Sequence, residues 1–171
     1  MKLLIVYASK EGQTAKIAQR IADVSRETAE VMVHDVRAVP PDAMAMCDAV
    51  IVAASVHFDR YPRAIIRFVR ANLDRLRTKR TAFVSVSGAS MTDAGRNQAE
   101  DYVTRFQDLT RWTPDHCELV AGATKFTKYN PLLRFVMRRI AKAKGLPTDT
   151  SRDYEYTDWD EVDRFARAVA A

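Results

Sequence analysis

Short apolar runs alternate with amphipathic segments along the whole chain. The first run, Leu3-Leu4-Ile5-Val6-Tyr7, leads through Ala8-Ser9-Lys10-Glu11-Gly12-Gln13-Thr14 into a helical pattern from about Thr14 to Arg26. There Ile17, Ile21 and Val24 recur at helical spacing, beside Ala18 and Ala22. Glu30 to Val36 alternates through Val31 and Val33 and predicts a strand. Arg37 to Met46, which contains Pro40-Pro41, predicts a loop with one helical turn after Pro41. Ala49 to Ala54 is continuously apolar and β-branched in part, the pattern of a strand buried on both faces.

Pro62 suits a first helical position, and Ile65, Ile66, Phe68, Val69 and Leu73 form the apolar stripe that follows. Thr81 to Val86 is the next strand, Ser87 to Ala94 a Gly- and hydroxyl-bearing loop. Ala99, Tyr102, Val103, Phe106 and Leu109 mark a long helix, and Cys117 to Ala121 the last strand. Asn130 is placed to cap a helix with Pro131 at its first position, running to about Lys144 before Gly145. A final helix begins near Asp158, with Thr157 as its expected cap, Asp160 as the acid of a capping box, and Trp159, Val162, Phe165, Ala166 and Val169 inward.

Strands and helices thus alternate five times, which argues for one α/β domain over residues 1–171, a doubly wound parallel sheet with helices on both faces. Ligands of such sheets bind beyond the carboxyl ends of the strands. The loops Ala8–Thr14, Ser55–Tyr61 and Ser87–Gly95 all follow strands and should share that rim.

Composition narrows the classes. A hydrophobic fraction of 47% and a charged fraction of 29% are those of a globular chain, and few Gly and Pro exclude low complexity. No apolar run approaches a membrane span. Cys47 and Cys117 lack metal-like spacing, and the chain opens directly in a strand, so reduced thiols and a cytoplasmic location are expected. The formal charge of +5 points to anionic partners. No recognition motif speaks for nucleic acid.

The first turn carries the clearest chemistry. Ser9 and Thr14 offer hydroxyls, Lys10 a charge, and Gly12 a backbone freedom that a Cβ forbids, all ahead of a helix N-terminus. This is neither the Walker pattern, since no Gly-Lys-Ser/Thr closes it, nor the dinucleotide fingerprint, since it holds one Gly. A phosphate site and a plain strand-to-helix turn capped by Thr14 are both compatible with it.

At these residues the chain resembles the flavodoxins. Ser9-Lys10-Glu11-Gly12-Gln13-Thr14 is similar to their phosphate loop, with Glu11 where a Thr is usual. The resemblance implies strand order 2-1-3-4-5 and FMN, its phosphate held by Ser9 to Thr14. The isoalloxazine would lie beside Ser55, Val56, His57, Phe58 and Tyr61 and beside Ser87, Gly88 and Ala89. Glu11 is expected to face solvent, offset by Lys10. Phe58 or Tyr61 suits stacking on a flat ring. His57 is a candidate base, although a lone loop His is more often a hydrogen-bond partner and the flavin itself carries the redox step. No metal site is expected.

A narrower resemblance lies further on. Arg111-Trp112-Thr113-Pro114-Asp115, Ala121-Gly122-Ala123, Pro147-Thr148-Asp149-Thr150, Tyr156-Thr157-Asp158-Trp159 and Phe165-Ala166-Arg167 resemble one branch, the flavodoxin-like, quinone-dependent protoporphyrinogen IX dehydrogenases. So does the inserted segment Lys125 to Lys144 after the fifth strand, which holds Lys125, Lys128, Arg134, Arg138, Arg139, Lys142 and Lys144 and no acid. The branch implies oxidation of protoporphyrinogen IX in haem biosynthesis, with menaquinone or ubiquinone as acceptor. Ser87-Gly88-Ala89-Ser90 is smaller and less basic than the branch leads one to expect.

On a helical wheel Leu132, Leu133, Val136, Met137 and Ile140 share an arc expected to contact protein. Arg134, Arg138, Arg139 and Lys142 lie opposite, with Phe135 among them, a surface suited to an anionic membrane or ligand. Peripheral association with the inner face of the cell membrane is the corresponding expectation. A plain flavodoxin-type electron carrier is the alternative, against which the basic charge speaks. A receiver-type signalling domain would need acids at the strand ends, where this chain has Tyr7-Ala8-Ser9 and Ala54-Ser55.

Overall fold

Strand β1 (Lys2–Ala8) is buried on both faces because its side chains alternate between two separate cores. In the computed structural model, which describes residues 1–171, Leu4 and Val6 enter one core, Leu3 and Ile5 the other. β1 pairs in parallel with β2 (Glu30–Asp35) on one side and β3 (Ala49–Ser55) on the other. β4 (Arg80–Ser87) and β5 (His116–Ala121) extend the sheet to the order β2-β1-β3-β4-β5. The expected doubly wound sheet and strand order are therefore present.

Helices α1 (Gln13–Ser25) and α7 (Trp159–Ala170) cover one face. Ile17, Ile21, Val162, Phe165 and Ala166 meet Ile5, Ile51 and Val84 there. Arg20 joins the two helices by donating to both oxygens of Asp163, at 2.7 and 2.6 Å. The other face is covered by the short α2 (Ala43–Met46), by α3 (Arg63–Ala71) with α4 (Leu73–Leu76), and by α5 (Arg96–Thr110). Its centre is aromatic: Phe83 and Phe106 stack at 4.4 Å, with Tyr61 and Trp112 tilted against them.

Several boundaries differ from expectation for local reasons. The stripe read through Leu73 is broken at Asn72, whose side chain donates to the Phe68 carbonyl and ends α3. Leu109 is half exposed, on the solvent side of α5. Thr157 does not cap α7. Its hydroxyl donates to the Ala121 carbonyl, and Asp158 caps instead by accepting from the Glu161 N–H at 3.0 Å, which puts Glu161 rather than Asp160 at the third helical position.

After β5 the chain makes a short strand, β6 (Ala123–Thr124), which pairs antiparallel with β7 (Tyr154–Glu155). Between them lies helix α6 (Pro131–Ala143), capped as expected by Asn130, whose side chain accepts from Leu133 N–H. This excursion has its own small core of Phe126, Tyr129 and Ala141, lined by Leu133, Met137, Leu146 and Tyr154. No helix is long and apolar enough to cross a membrane.

The loop from Ser87 to Gly95 is held by one close approach. A Cβ on Gly95 would lie 2.1 Å from the Ala89 carbonyl oxygen. Gly95→Ala is therefore expected to push that backbone aside and to lower unfolding stability by about 1–3 kcal/mol, the usual range for overpacking. A urea titration unchanged from wild type would show that the loop yields freely.

Candidate functional site

The three loops at the carboxyl ends of β1, β3 and β4 surround a cleft of about 400 Å³. Its floor at β1 is the start of α1. Gly12 is the N-cap, with φ of 97°, and no side chain caps the helix. The backbone N–H groups of Gln13, Thr14 and Ala15 meet no protein acceptor, and the first helical bond runs from Lys16 N–H to the Gly12 carbonyl. Thr14 is thus not a cap; it is buried and lines the cleft. Ser9 Oγ accepts from Gly12 N–H at 3.0 Å and closes the turn. No acid lies in the first turn of α1, so its positive end is left uncompensated from within the helix.

Gln13 is drawn inward. Its Nε2 donates to Glu155 and to Thr157, at 3.1 and 2.9 Å, and its Oε1 is buried without a partner. Glu11 departs from expectation. It does not face solvent offset by Lys10 alone: its carboxylate accepts from Tyr129 Oη at 3.3 Å, and its carbonyl accepts from Lys128 Nζ at 2.8 Å. Burial raises its pKa, against the lowering effects of Tyr129 and of Lys10, Lys128 and Lys125. The inserted segment, folding back over the loop, makes that environment. Burial and the Glu11 carboxylate push the Tyr129 phenol up to about 12, so it is the donor of the pair.

The β3 loop makes a two-residue turn. His57 and Arg60 exchange backbone bonds at 3.0 and 3.1 Å, and Phe58 and Asp59 between them have φ of 48° and 59°. Positive φ at both central positions is the type I′ pattern, seldom built from a bulky residue. Asp59 accepts a hydrogen bond from Tyr102. Phe58 is 73% exposed beside the cleft. His57 Nε2 lies 3.0 Å from Ser55 Oγ, and burial, then Lys10, lowers its pKa, so the imidazole is neutral at neutral pH.

Tyr61 is a correction. It belongs to the aromatic core, 7% exposed, with its hydroxyl 2.7 Å from Ser85 Oγ, and it does not line the cleft. Its ring is too well packed against Phe83 and Phe106 to reach a ligand.

Val56, Ser87, Gly88 and Ala89 do line the cleft, together with Met91. Ser87 Oγ accepts from Ser90 N–H at 3.1 Å, tightening that loop. Over this rim lies α6. Leu133, Met137, Ile140 and Ala141 form an apolar wall, and Lys144 Nζ donates across to the Gly88 carbonyl at 3.2 Å. The wheel's apolar arc is therefore divided. Leu133 and Met137 pack inward, whereas Leu132 is 75% exposed and Val136 is exposed too. Arg134 also differs from its reading: it donates to the carbonyls of Phe126 and Tyr129, each at 3.1 Å, and so braces its own segment rather than meeting a ligand. Arg138, Arg139 and Lys142 are exposed, as is Phe135, with the Arg139 guanidinium 5.9 Å from its ring centre.

Sequence reasoning missed the roof residues Leu133, Met137, Ile140 and Lys144, and it missed Lys128 and Tyr129 at the turn between β1 and α1. The basic, acid-free run was visible, but its contact with Glu11 spans more than a hundred residues of sequence.

The residues present fit FMN. Three unpartnered N–H groups, two hydroxyls and a lysine suit a phosphate dianion, and an apolar cleft between Val56, Ala89 and α6 suits a flat ring. No cluster of His, Cys, Asp and Glu is arranged for a metal. Tyr61→Phe is expected to strand the buried Ser85 hydroxyl, lower stability by about 1–3 kcal/mol and leave flavin affinity unchanged. Urea titration and flavin fluorescence titration check the two halves; a fall in affinity would return Tyr61 to the site.

Comparison with known proteins agrees with this geometry. A family model described as a flavodoxin domain matches residues 4–151. The protoporphyrinogen IX dehydrogenase (quinone) of Escherichia coli strain K12 is 33% identical, over 99% of this chain and 95% of its own. That of Leishmania major is 29% identical, over 99% of this chain and 75% of its own. Among solved structures, oxidised flavodoxin 1 from Bacillus cereus superposes with a TM-score of 0.57 at 19% identity, covering 99% of this chain and 97% of that one. Two-electron reduced Megasphaera elsdenii flavodoxin does so with a TM-score of 0.59 at 15% identity, covering 98% of each chain. The chain belongs to the flavodoxin-domain family, and within it to the branch of the quinone-type protoporphyrinogen IX dehydrogenases.

Proposed function

We propose that this protein binds FMN in the rim cleft, oxidises protoporphyrinogen IX to protoporphyrin IX, and passes the electrons to a membrane quinone, menaquinone or ubiquinone. The observation that carries the reading is the roof. The sheet is complete without α6, yet the helix lays Leu133, Met137 and Ile140 over the cleft. A bare electron carrier has no use for an apolar wall there, whereas a flat hydrophobic macrocycle does. The curated relatives that share this segment are named for that reaction.

Bound FMN supplies hydride acceptance and electron transfer. The chain's own residues bind and orient. The start of α1 would hold the phosphate and Val56 and Ala89 would flank the ring, with Phe58 exposed beside the same cleft. His57 is a neutral hydrogen-bond partner of Ser55 rather than a proton donor.

The same helix supplies a route to a lipid-soluble acceptor. Leu132, Phe135 and Val136 are exposed at i, i+3 and i+4, with Arg139 one turn on and Arg138 and Lys142 alongside. Apolar residues amid cations are what an anionic bilayer surface binds. We infer a cytoplasmic protein held at the inner face of the membrane by this helix.

Two experiments test the proposal. Anaerobic addition of protoporphyrinogen IX to the FMN-loaded protein is expected to bleach the flavin, and menaquinone to restore its colour. His57→Ala should keep the bleaching rate within about tenfold, less than an essential acid or base usually contributes. No bleaching in wild type would defeat the assignment of substrate. In the second, the protein should sediment with anionic vesicles at low salt and be released at high salt, each cation near the surface being worth about 1 kcal/mol. Arg138→Glu, Arg139→Glu and Lys142→Glu together should prevent sedimentation with FMN still bound. They should also slow vesicle-borne quinone reduction more than reduction of a soluble dye. Sedimentation that survives all three changes would mean that this face is merely solvated.

A further inference from the structure

The inserted segment does more at the cleft than roof it. Lys128 lies immediately before Tyr129 at the foot of α6, and its ammonium reaches back to the turn between β1 and α1. There Nζ donates to the Glu11 carbonyl at 2.8 Å. A Cβ built on Gly12 would lie 3.8 Å from the same Nζ. The ammonium therefore sits against Gly12, the residue that caps α1 and immediately precedes the N–H groups that meet no protein acceptor. An ammonium has three donors, and one is engaged. Lys128 is otherwise exposed and makes no ion pair with a carboxylate.

The surroundings explain why a cation is needed there. Glu11 brings a carboxylate to the edge of an anion site. Its Oε2 is turned to Tyr129, and Lys128 stands at its carbonyl. Tyr129 Oη in turn accepts from Lys125 N–H at 3.3 Å, so the phenol is fixed between segment and loop. One short stretch, Lys125 to Tyr129, thus gives the acid a hydrogen-bond donor and brings a positive charge to the residue that caps the helix.

We propose that Lys128 is a ligand of the flavin phosphate, supplied to the phosphate loop by the inserted segment. The proposal rests on FMN binding at the start of α1. It adds that the dianion is held jointly by the sheet domain and the excursion, so that the phosphate ties the foot of the roof to the floor. A lysine that only tethers the loop, through its bond to the Glu11 carbonyl, would serve any flavin equally.

Riboflavin, which has the same ring and ribityl chain without the phosphate, separates the two roles. FMN and riboflavin affinities are measured by fluorescence titration for wild type, Lys128→Met and Lys128→Arg. Met keeps the aliphatic stem, and Arg restores the charge. The expected result is that Lys128→Met weakens FMN binding about tenfold, as loss of one charge-assisted hydrogen bond does, and leaves riboflavin unchanged. Lys128→Arg should recover most of the loss. An equal loss for both flavins, or no loss for FMN, would overturn the role of Lys128. A wild-type protein that binds riboflavin as tightly as FMN would instead remove the phosphate site itself, and this proposal with it.

Discussion

Parallel pairing sends every strand's carboxyl end to the same edge, and the rest of the molecule depends on that constraint. β1 is paired on both sides, so α1 and α3, which follow β1 and β3, cross opposite faces. The turns leaving the two strands are thereby parted, and a cleft opens between them. One side of that cleft is the start of α1, where helical geometry leaves donors without partners. The other is the β4 loop, held close by the lack of a Cβ at Gly95. The unpartnered donors and the apolar slot are consequences of the same winding.

The excursion after β5 is stabilised differently. Its core of Phe126, Tyr129 and Ala141 is small and shares no buried residue with the two sheet cores. Polar bonds make its attachments to the rim: Lys128 and Tyr129 to Glu11, and Lys144 to Gly88. Arg134 adds internal bracing by binding two carbonyls of the turn before α6. A wall held by few apolar contacts and several charged ones opens at a lower free energy than a sheet core. Its attachment depends on polar bonds at the rim, whereas the sheet's integrity rests on buried surface.

The sheet was legible from sequence because β-branched runs such as Ala49 to Ala54 have one stable home, between two layers. The helix faces of α1 and α7 were legible for the related reason that their stripes match the helical period. Tyr61 was misread because an aromatic in a rim loop looks the same whether it turns to a ligand or to Phe83; its partner, Ser85, lies on the neighbouring strand. The wheel of α6 failed for another reason. Periodicity identifies an apolar arc but not what covers it, and here Leu133 and Met137 face a cleft while Leu132 is left in solvent. Glu11 was read from neighbours in sequence, and its true neighbours come from a segment more than a hundred residues away.

The turn at Phe58 carries the opposite lesson, since one of its two central residues goes against local preference. Asp59 tolerates a left-handed backbone, but Phe58 does not favour it, at a cost of about 1–2 kcal/mol. Asn-Gly would form the same turn without that penalty. Local contacts alone do not account for a Phe that is left exposed there. The bond from Tyr102 to Asp59 offsets part of the strain, and it ties the turn to α5, across the core. Burial, with the Asp59 bond, raises the Tyr102 phenol to about 12, so it stays a donor throughout the neutral range. Strain held in place by a distant anchor, at the mouth of a cleft, is of the kind that clusters where ligands bind.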